Sequence, residues 1–298
     1  MLNLFSHCDL DLYLPNFFIV GATRCGTSSL YEYFNKTPGI FMSKIKEPAY
    51  FSISINRRKH VDNENDYLKL FQNAKSNQPI GEATTRYFID PKSSLLIKDK
   101  IPNSKIIILL RDPVERAFSS YLYYLRREKK ESFNEIIKKS MDTSLDGNYL
   151  LHLVVNGGLY YESVKRYVDL FGRDSVKILF FEEFFIDIKN NFKDLLQFLD
   201  VESEPTEIVN SIFNEYKKPK NKTSKLILSI DDVIWKFGIK SFLPFLPTRK
   251  SLEKKYLESG KKPKISEKDK NELIHFYHDD VNQLKSLLGR NLPWKNFI

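Results

Sequence analysis

The sequence predicts an α/β fold: a mostly parallel sheet with helices on both faces. Three observations lead there. Apolar runs at 17–20, 106–110 and 176–181 are rich in β-branched or aromatic residues and do not alternate with polar ones. That is the pattern of strands covered on both faces. Helical patterns separate these runs in chain order, and alternating β and α implies parallel strands joined by crossovers. The first run also passes into a helix through a turn with the glycine spacing of a phosphate loop.

The elements follow in order. "FFIV" at 17–20 is the first strand, and a helix at 27–36 follows its turn. "QPIGEAT" around Ile80 is a weaker strand candidate. "IIILL" at 106–110 is the most apolar strand, followed by a helix at 113–129. A helix at 157–171, a strand at 176–181 and a helix at 190–199 come next. The stretch 214–264 reads as irregular, with lysine clusters around an apolar segment. The last helix, 266–288, is well marked: Ser266 caps it with Asp269 three residues on. Leu273, Tyr277, Val281, Leu284 and Leu288 then form one stripe, and Gly289 ends it.

Composition bounds the class. With 298 residues, 42% hydrophobic and 29% charged, the chain suits one large α/β domain. That domain spans 1–298, with a core of about 15–213 and 260–298 and a basic, apolar lid or insertion at 214–259. A formal charge of +9 suggests anionic partners. Cys8 and Cys25 are the only cysteines, which is no disulfide framework and suits a reducing compartment. No Cys/His cluster has zinc-ligand spacing, so no metal is expected. The first twenty residues lack a basic start, and Asp9 and Asp11 interrupt the apolar run, so they do not read as a signal peptide. A cytoplasmic protein is expected.

The turn "GATRCGTSS" raises the first functional question. Gly21 and Gly26 stand as in a P-loop, but Thr27 occupies the lysine position and Ser28 follows. Backbone N–H groups of such a turn and the helix start form an anion cradle. Thr27, Ser28 and Ser29 add hydroxyls, and Arg24 places a cation inside the loop. A plain strand-to-helix turn would explain the glycines alone. The hydroxyls and the arginine favour a P-loop-like anion site.

The second turn, "RDPVERAFS", is more specific. Arg111 ends a buried strand, at the sheet edge where open α/β folds bind ligands. Asp112 is a strong N-cap, Pro113 fits the first helical position and Glu115 completes a capping-box pattern. The core stripe is Val114, Ala117, Phe118, Tyr121 and Leu125. Ser119 falls on the face of Arg116 and Glu115, so that Arg111 and Ser119 converge on one anion. The plainer alternatives are a salt bridge from Arg111 to Asp112 or Glu115, and a surface serine.

In these segments the chain resembles the sulfotransferases that use 3′-phosphoadenosine 5′-phosphosulfate (PAPS), most in look the carbohydrate, heparan sulfate type. Their R-D-P-x-x-R-x-x-S segment stands complete from Arg111 to Ser119. "KEPAYF" at 46–51 is similar to their K-E-P-H-F-F, and "GEATTRYF" at 81–88 to their E-K-T-P-x-Y-F. "NGGLYYESVKRYVDLFG" resembles their G-x-Y helix and "VKILFFEEF" the strand after it. The likeness runs in order over most of 15–297.

The resemblance implies that the loop 24–29 holds the 5′-phosphosulfate, through Arg24, Cys25, Gly26, Thr27, Ser28 and Ser29. It implies that Arg111 and Ser119 hold the 3′-phosphate, and that Lys261 or Lys262 in "GKKP" touches the donor. Glu47 is then the general base, Arg24 stabilises the leaving group, and Lys46, Glu82 and Arg86 lie on the acceptor side. The product is adenosine 3′,5′-bisphosphate (PAP). A saccharide or glycolipid acceptor is expected, and no nucleic acid: the basic residues lack the interleaved aromatics of a single-strand groove. The chain departs from the family at Arg24, where Lys is common, at Cys25, where Gly is common, and at Ala49 and Ala83, which replace His and Lys. The last two put a heparan-like acceptor in question rather than the donor.

Two other classes stay open: a P-loop kinase with a displaced cation, and a non-enzymatic polyanion-binding module. The stretch 226–247, with Trp235, Phe237 and Phe242 among lysines, reads as a cover for the core or cleft, or as a peripheral membrane contact.

Overall fold

The computed structural model describes residues 13–55, 61–75, 77–125, 131–144, 148–202, 217–224, 226–228, 230, 247, 249–260 and 263–298. Its centre is a five-stranded sheet of order β2-β3-β1-β4-β5, and every neighbouring pair is parallel. The strands are β1 (Phe17–Gly21), β2 (Phe41–Met42), β3 (Ile80–Ala83), β4 (Lys105–Leu110) and β5 (Val176–Phe180). β1 lies between β3 and β4 and is buried throughout. This accounts for its lack of polar alternation. Phe18 stands opposite Glu82 on one side and Ile106 on the other.

Helices cover both faces. α1 (Thr27–Asn35) and α10 (Ile188–Phe198) pack their rings together, with Phe34 and Phe192 centroids 5.1 Å apart. Between them in sequence come α2 (Glu64–Leu68), α3 (Arg86–Ile89), α4 (Ser93–Lys100), α5 (Pro113–Leu125), α6 (Phe133–Met141), α7 (Tyr149–Val155), α8 (Tyr161–Phe171) and α9 (Phe181–Phe184). The chain closes with α11 (Arg249–Tyr256) and α12 (Glu267–Leu288). Ser266 caps α12 by accepting from Asp269 N at 3.1 Å, and Gly289 ends it at φ 65°.

The helix expected from 157 begins instead at Tyr161, after a 3₁₀ turn at Asn156–Gly158. The cause is long-range. The Asp280 carboxylate of α12 accepts the N–H groups of Tyr160 (2.8 Å) and Tyr161 (3.1 Å), capping α8 from another element. The region 214–264 is also more regular than its composition suggests. β6 (Lys217–Pro219) pairs antiparallel with β7 (Leu257–Ser259), directly after α11. Most of the 226–247 stretch, including Trp235, Phe237 and Phe242, lies outside the described residues. Among the described residues, no helix is long and apolar enough to cross a membrane.

Candidate active site

The carboxyl ends of β1, β3, β4 and β5 open onto one edge of the sheet, and the site is built there. Ala22 N donates to Leu109 O at 2.7 Å, tying the loop after β1 to β4. Gly26 caps α1 in the left-handed region at φ 96°, and no side chain caps the helix. The N–H groups of Thr27 and Ser28 are first-turn donors with no intrahelical acceptor. A Cβ on Gly26 would sit 2.7 Å from the Phe185 ring, so packing as well as φ requires glycine here. Thr27 and Ser29 are buried at the helix start, and Ser28 is partly exposed. Cys25 is fully buried, with its Sγ 3.8 Å from the Tyr160 hydroxyl. Burial pushes its thiol up to about 11, against the pull of Arg116. A thiol in that state is no nucleophile.

Arg24, at φ 69°, reaches across to α5: its Nε donates to Ser119 Oγ at 3.3 Å, and its guanidinium lies 5.0 Å over the Tyr123 ring. The two predicted turns therefore meet. Arg111 stands at the end of β4 with its guanidinium 4.5 Å over Phe181, and 3.7 Å from Glu115. Its Nε is buried with no hydrogen-bond partner among the described residues. A buried orphan donor on a cation is costly unless an anion completes it.

Two expectations about α5 need correction. The capping box expected from Glu115 is present on one side, where Asp112 Oδ1 accepts from Glu115 N at 3.4 Å. Asp112 Oδ1 accepts from Val114 N at 3.0 Å, but Asp112 N donates to Glu182 Oε1 at 2.9 Å. The Glu182 carboxylate of α9 takes the Asp112 N–H, while Glu115 lies 3.7 Å from Arg111. Arg116 does not share the face of Ser119. It is fully buried, and its guanidinium donates to the carbonyls of Leu153 (2.9 Å), Val154 (2.7 Å) and Val155 (3.2 Å) at the end of α7. A cation at a helix C-terminus satisfies orphan carbonyls and the macrodipole together.

The residues expected on the acceptor side lie where the segment 46–51 docks on the end of β3. Glu47 N donates to Ala83 O at 2.8 Å. The Glu47 carboxylate accepts from Lys46 Nζ (2.8 Å), Thr85 N (2.9 Å) and Thr85 Oγ1 (3.0 Å), with a third of the side chain exposed. Burial raises its pKa, but Lys46 and Thr85 outweigh that and hold it below the usual carboxylate range. Lys46 thus pairs with Glu47. Arg86 is buried, with its guanidinium 5.8 Å from the Tyr149 ring. Glu82, expected among the acceptor contacts, is fully buried behind the site. Its oxygens accept from Tyr67 (2.6 Å) and Thr84 (2.7 Å).

Thr85, Tyr123 and Glu182 are the residues that sequence reasoning missed. Tyr123 stands four residues after Ser119 on α5 and Thr85 lies in the segment 81–88, so spacing could have found both; Glu182 comes from a separate element and has no such signal. Lys261 and Lys262 lie outside the described residues. Among those described, no group of three His, Cys, Asp or Glu side chains is placed to hold a metal ion.

Known proteins are similar to this chain in sequence and fold. A family described as "Sulfotransferase domain" matches residues 14–280. Carbohydrate sulfotransferase 15 of Mus musculus is 26% identical over 275 residues, covering 70% of this chain and 48% of its own length. The membrane-associated sulfotransferase kil1 of Dictyostelium discoideum is 36% identical over 141 residues, covering 44% of this chain and 29% of its own. The chain thus spans at most about half the length of these curated relatives. A sulfotransferase from Alicyclobacillus acidocaldarius superposes with a TM-score of 0.68 and 28% identity, covering 94% of this chain and 98% of that one.

Proposed function

Because the chain belongs to the sulfotransferase domain family, we propose that it moves the sulfuryl group of PAPS to a hydroxyl or amine of a saccharide or glycolipid. One observation carries the donor assignment: Arg24 Nε on Ser119 Oγ joins the loop after β1 to the Arg111 segment in one basic patch. PAPS carries anionic groups at both its 5′ and 3′ positions, and a patch of two joined anion sites fits that. The orphan Arg111 Nε and the uncapped start of α1 are the donors such a ligand would complete. PAPS supplies an activated sulfuryl group, and its departure leaves charge on a nucleotide phosphate.

The residues divide the work as follows. The first-turn N–H groups of α1 and the Thr27 and Ser28 hydroxyls hold the 5′ side. Arg111 and Ser119 hold the 3′-phosphate, and Arg24 offsets charge developing on the leaving phosphate. Glu47 takes the acceptor proton. A carboxylate offers about four lone-pair directions. Lys46 and Thr85 occupy three of them, which leaves one for an acceptor hydroxyl. The names of the relatives, carbohydrate sulfotransferase and heparan sulfate N-sulfotransferase, support a saccharide acceptor.

The test is transfer from labelled PAPS to a panel of saccharides, glycolipids and phenols. Labelled product with a saccharide or glycolipid supports the proposal. Turnover of ATP with magnesium and none of PAPS would replace it with a kinase. Binding then checks the donor site: Arg111→Ala should weaken PAP by about 100-fold or more, as loss of a charge-assisted contact does, and weaken AMP far less. Equal loss for both would remove Arg111 from the 3′-phosphate.

A further inference from the structure

We infer that Glu82 is a positioning residue: through a set of buried hydroxyls it fixes the loop 46–51 and, with it, the direction of the Glu47 carboxylate. This rests on the reading of Glu47 as the base.

The loop that carries Glu47 is strained. Glu47 has φ 64° and Ala49 φ 60°, both left-handed and neither glycine. Each such residue costs on the order of 1–2 kcal/mol, and the state persists only where the surroundings over-determine it. Three hydrogen bonds hold the loop backbone against the end of β3 and α3. Glu47 N donates to Ala83 O at 2.8 Å. Ala49 N donates to Thr84 Oγ1 at 3.3 Å, and Phe51 N to the Tyr87 hydroxyl at 3.2 Å. The last two acceptors are hydroxyls, which rotate unless something fixes them.

Glu82 fixes both. Thr84 Oγ1 donates to Glu82 Oε1 at 2.7 Å, and the Tyr87 hydroxyl interacts with the same carboxylate and lowers its pKa. Tyr67 donates to Oε2 at 2.6 Å. Glu82, Thr84, Tyr67 and Tyr87 are all fully buried, so no water competes. Above about pH 7, where Glu82 is ionised, its carboxylate only accepts. With its proton committed to Glu82, the Thr84 hydroxyl turns a lone pair to Ala49 N–H, and Tyr87 does the same for Phe51. One further residue along, Thr85 grips the Glu47 carboxylate itself. The β3 end thus holds the base at its side chain through Thr85 and at its backbone through Glu82.

The geometry also says what a neutral amide would do. Glutamine has the same shape but brings two donors. Three hydroxyls already donate toward this site, so a glutamine must turn one of them around. Where the amide takes the place of Oε1, the reversed hydroxyl is that of Thr84, whose proton then faces Ala49 N–H and releases that contact; Tyr67, at Oε2, holds no loop N–H.

Two readouts of Glu82→Gln, both taken at about pH 8 where wild-type Glu82 is ionised, test the inference. The first is hydrogen exchange of the native protein, which reads the loop itself. Exchange at Ala49 and Phe51 should accelerate at least about tenfold, while the Ser29 and Leu30 amides of α1 keep their protection. The second is a double-mutant cycle with Glu47→Gln in the PAPS transfer assay. Glu82→Gln should lower turnover about 10–100-fold, the scale of a small misplacement of a reacting group, and leave PAP affinity within about twofold. In the Glu47→Gln background it should lower turnover no further. Unchanged protection at Ala49 and Phe51 would overturn the inference, and so would an equal fold-loss of turnover in both backgrounds. Near-normal turnover of Glu47→Gln alone would defeat the base reading, while the exchange readout would still decide whether Glu82 holds the loop. If Glu82→Gln does not fold, Thr84→Val removes the hydroxyl that bonds Ala49, and the same two readouts apply.

Discussion

Replacing Glu82 by glutamine should change how stability depends on pH, and the size follows from its surroundings. Glu82 lies on a central strand with no exposed surface. Burial pushes its carboxyl from 4.5 to about 7, although the hydroxyls of Tyr67, Thr84 and Tyr87 pull it back; nearby Glu47 adds to the rise. In the unfolded chain the group titrates near its ordinary value. Between pH 4.5 and 7 the native state therefore holds a proton that the unfolded state has lost. Wild-type stability must fall as pH rises through that window, by about 1.4 kcal/mol per unit at most. A gap of roughly two and a half units gives a loss of about 3 kcal/mol, complete above about pH 7. Glutamine does not titrate and shows none of it. Urea denaturation of both proteins at intervals from pH 4.5 to 8 measures this directly. Other groups bend both curves alike, so the difference between them carries the signal. Stability of wild type relative to the variant should drop steadily to about pH 7 and then level off. Two parallel curves would refute the reasoning, whatever their vertical separation.

Two further outcomes follow from the site. Lys46→Met removes the cation that most lowers Glu47, so the acid limb of the pH–rate profile should move to higher pH, with PAP binding unchanged; an unmoved limb would separate Lys46 from the titration of the proposed base. Cys25, fully buried with its thiol pushed up to about 11, should resist alkylation in a Cys8→Ser background until the protein is unfolded; modification of the native protein at neutral pH would contradict that environment.

The fold was legible where the chain states its own structure. Uniformly apolar runs at 17–20 and 106–110 have no other use than as covered strands. Ser266, its partner Asp269 and Gly289 bound α12 with local chemistry alone. The shorter elements were not legible for the same reason. β2 is two residues long, too short for any period to show, and exists because Phe41 and Met42 pair with β3. α8 starts where Asp280 caps it, from a helix about 120 residues later. Within the site, the Arg111 and Ser119 positions could be read because strand end and helix start are adjacent in sequence. Whether Arg116 faced Ser119 or the core could not, since the carbonyls that attract it belong to α7. Glu82 shows the same limit. A carboxylate at a strand end looks like an acceptor contact until Tyr67 and Thr84 close over it.

The missing lysine of the loop at Gly21 has a physical account. A lysine in place of Arg24 would be a point charge on a flexible stem, serving one acceptor direction at a time. Arginine presents five N–H donors in a fixed plane. Its Nε is committed to Ser119 at 3.3 Å, and its face lies on Tyr123. The plane of the fork is therefore set by α5 rather than by the loop. The same guanidinium can then serve Ser119 and a second acceptor on the loop side without turning. A lysine would have to leave one to reach the other. Arg24→Lys should on this view keep the charge and lose the bridge, weakening the link between the two halves of the proposed donor site more than its net charge.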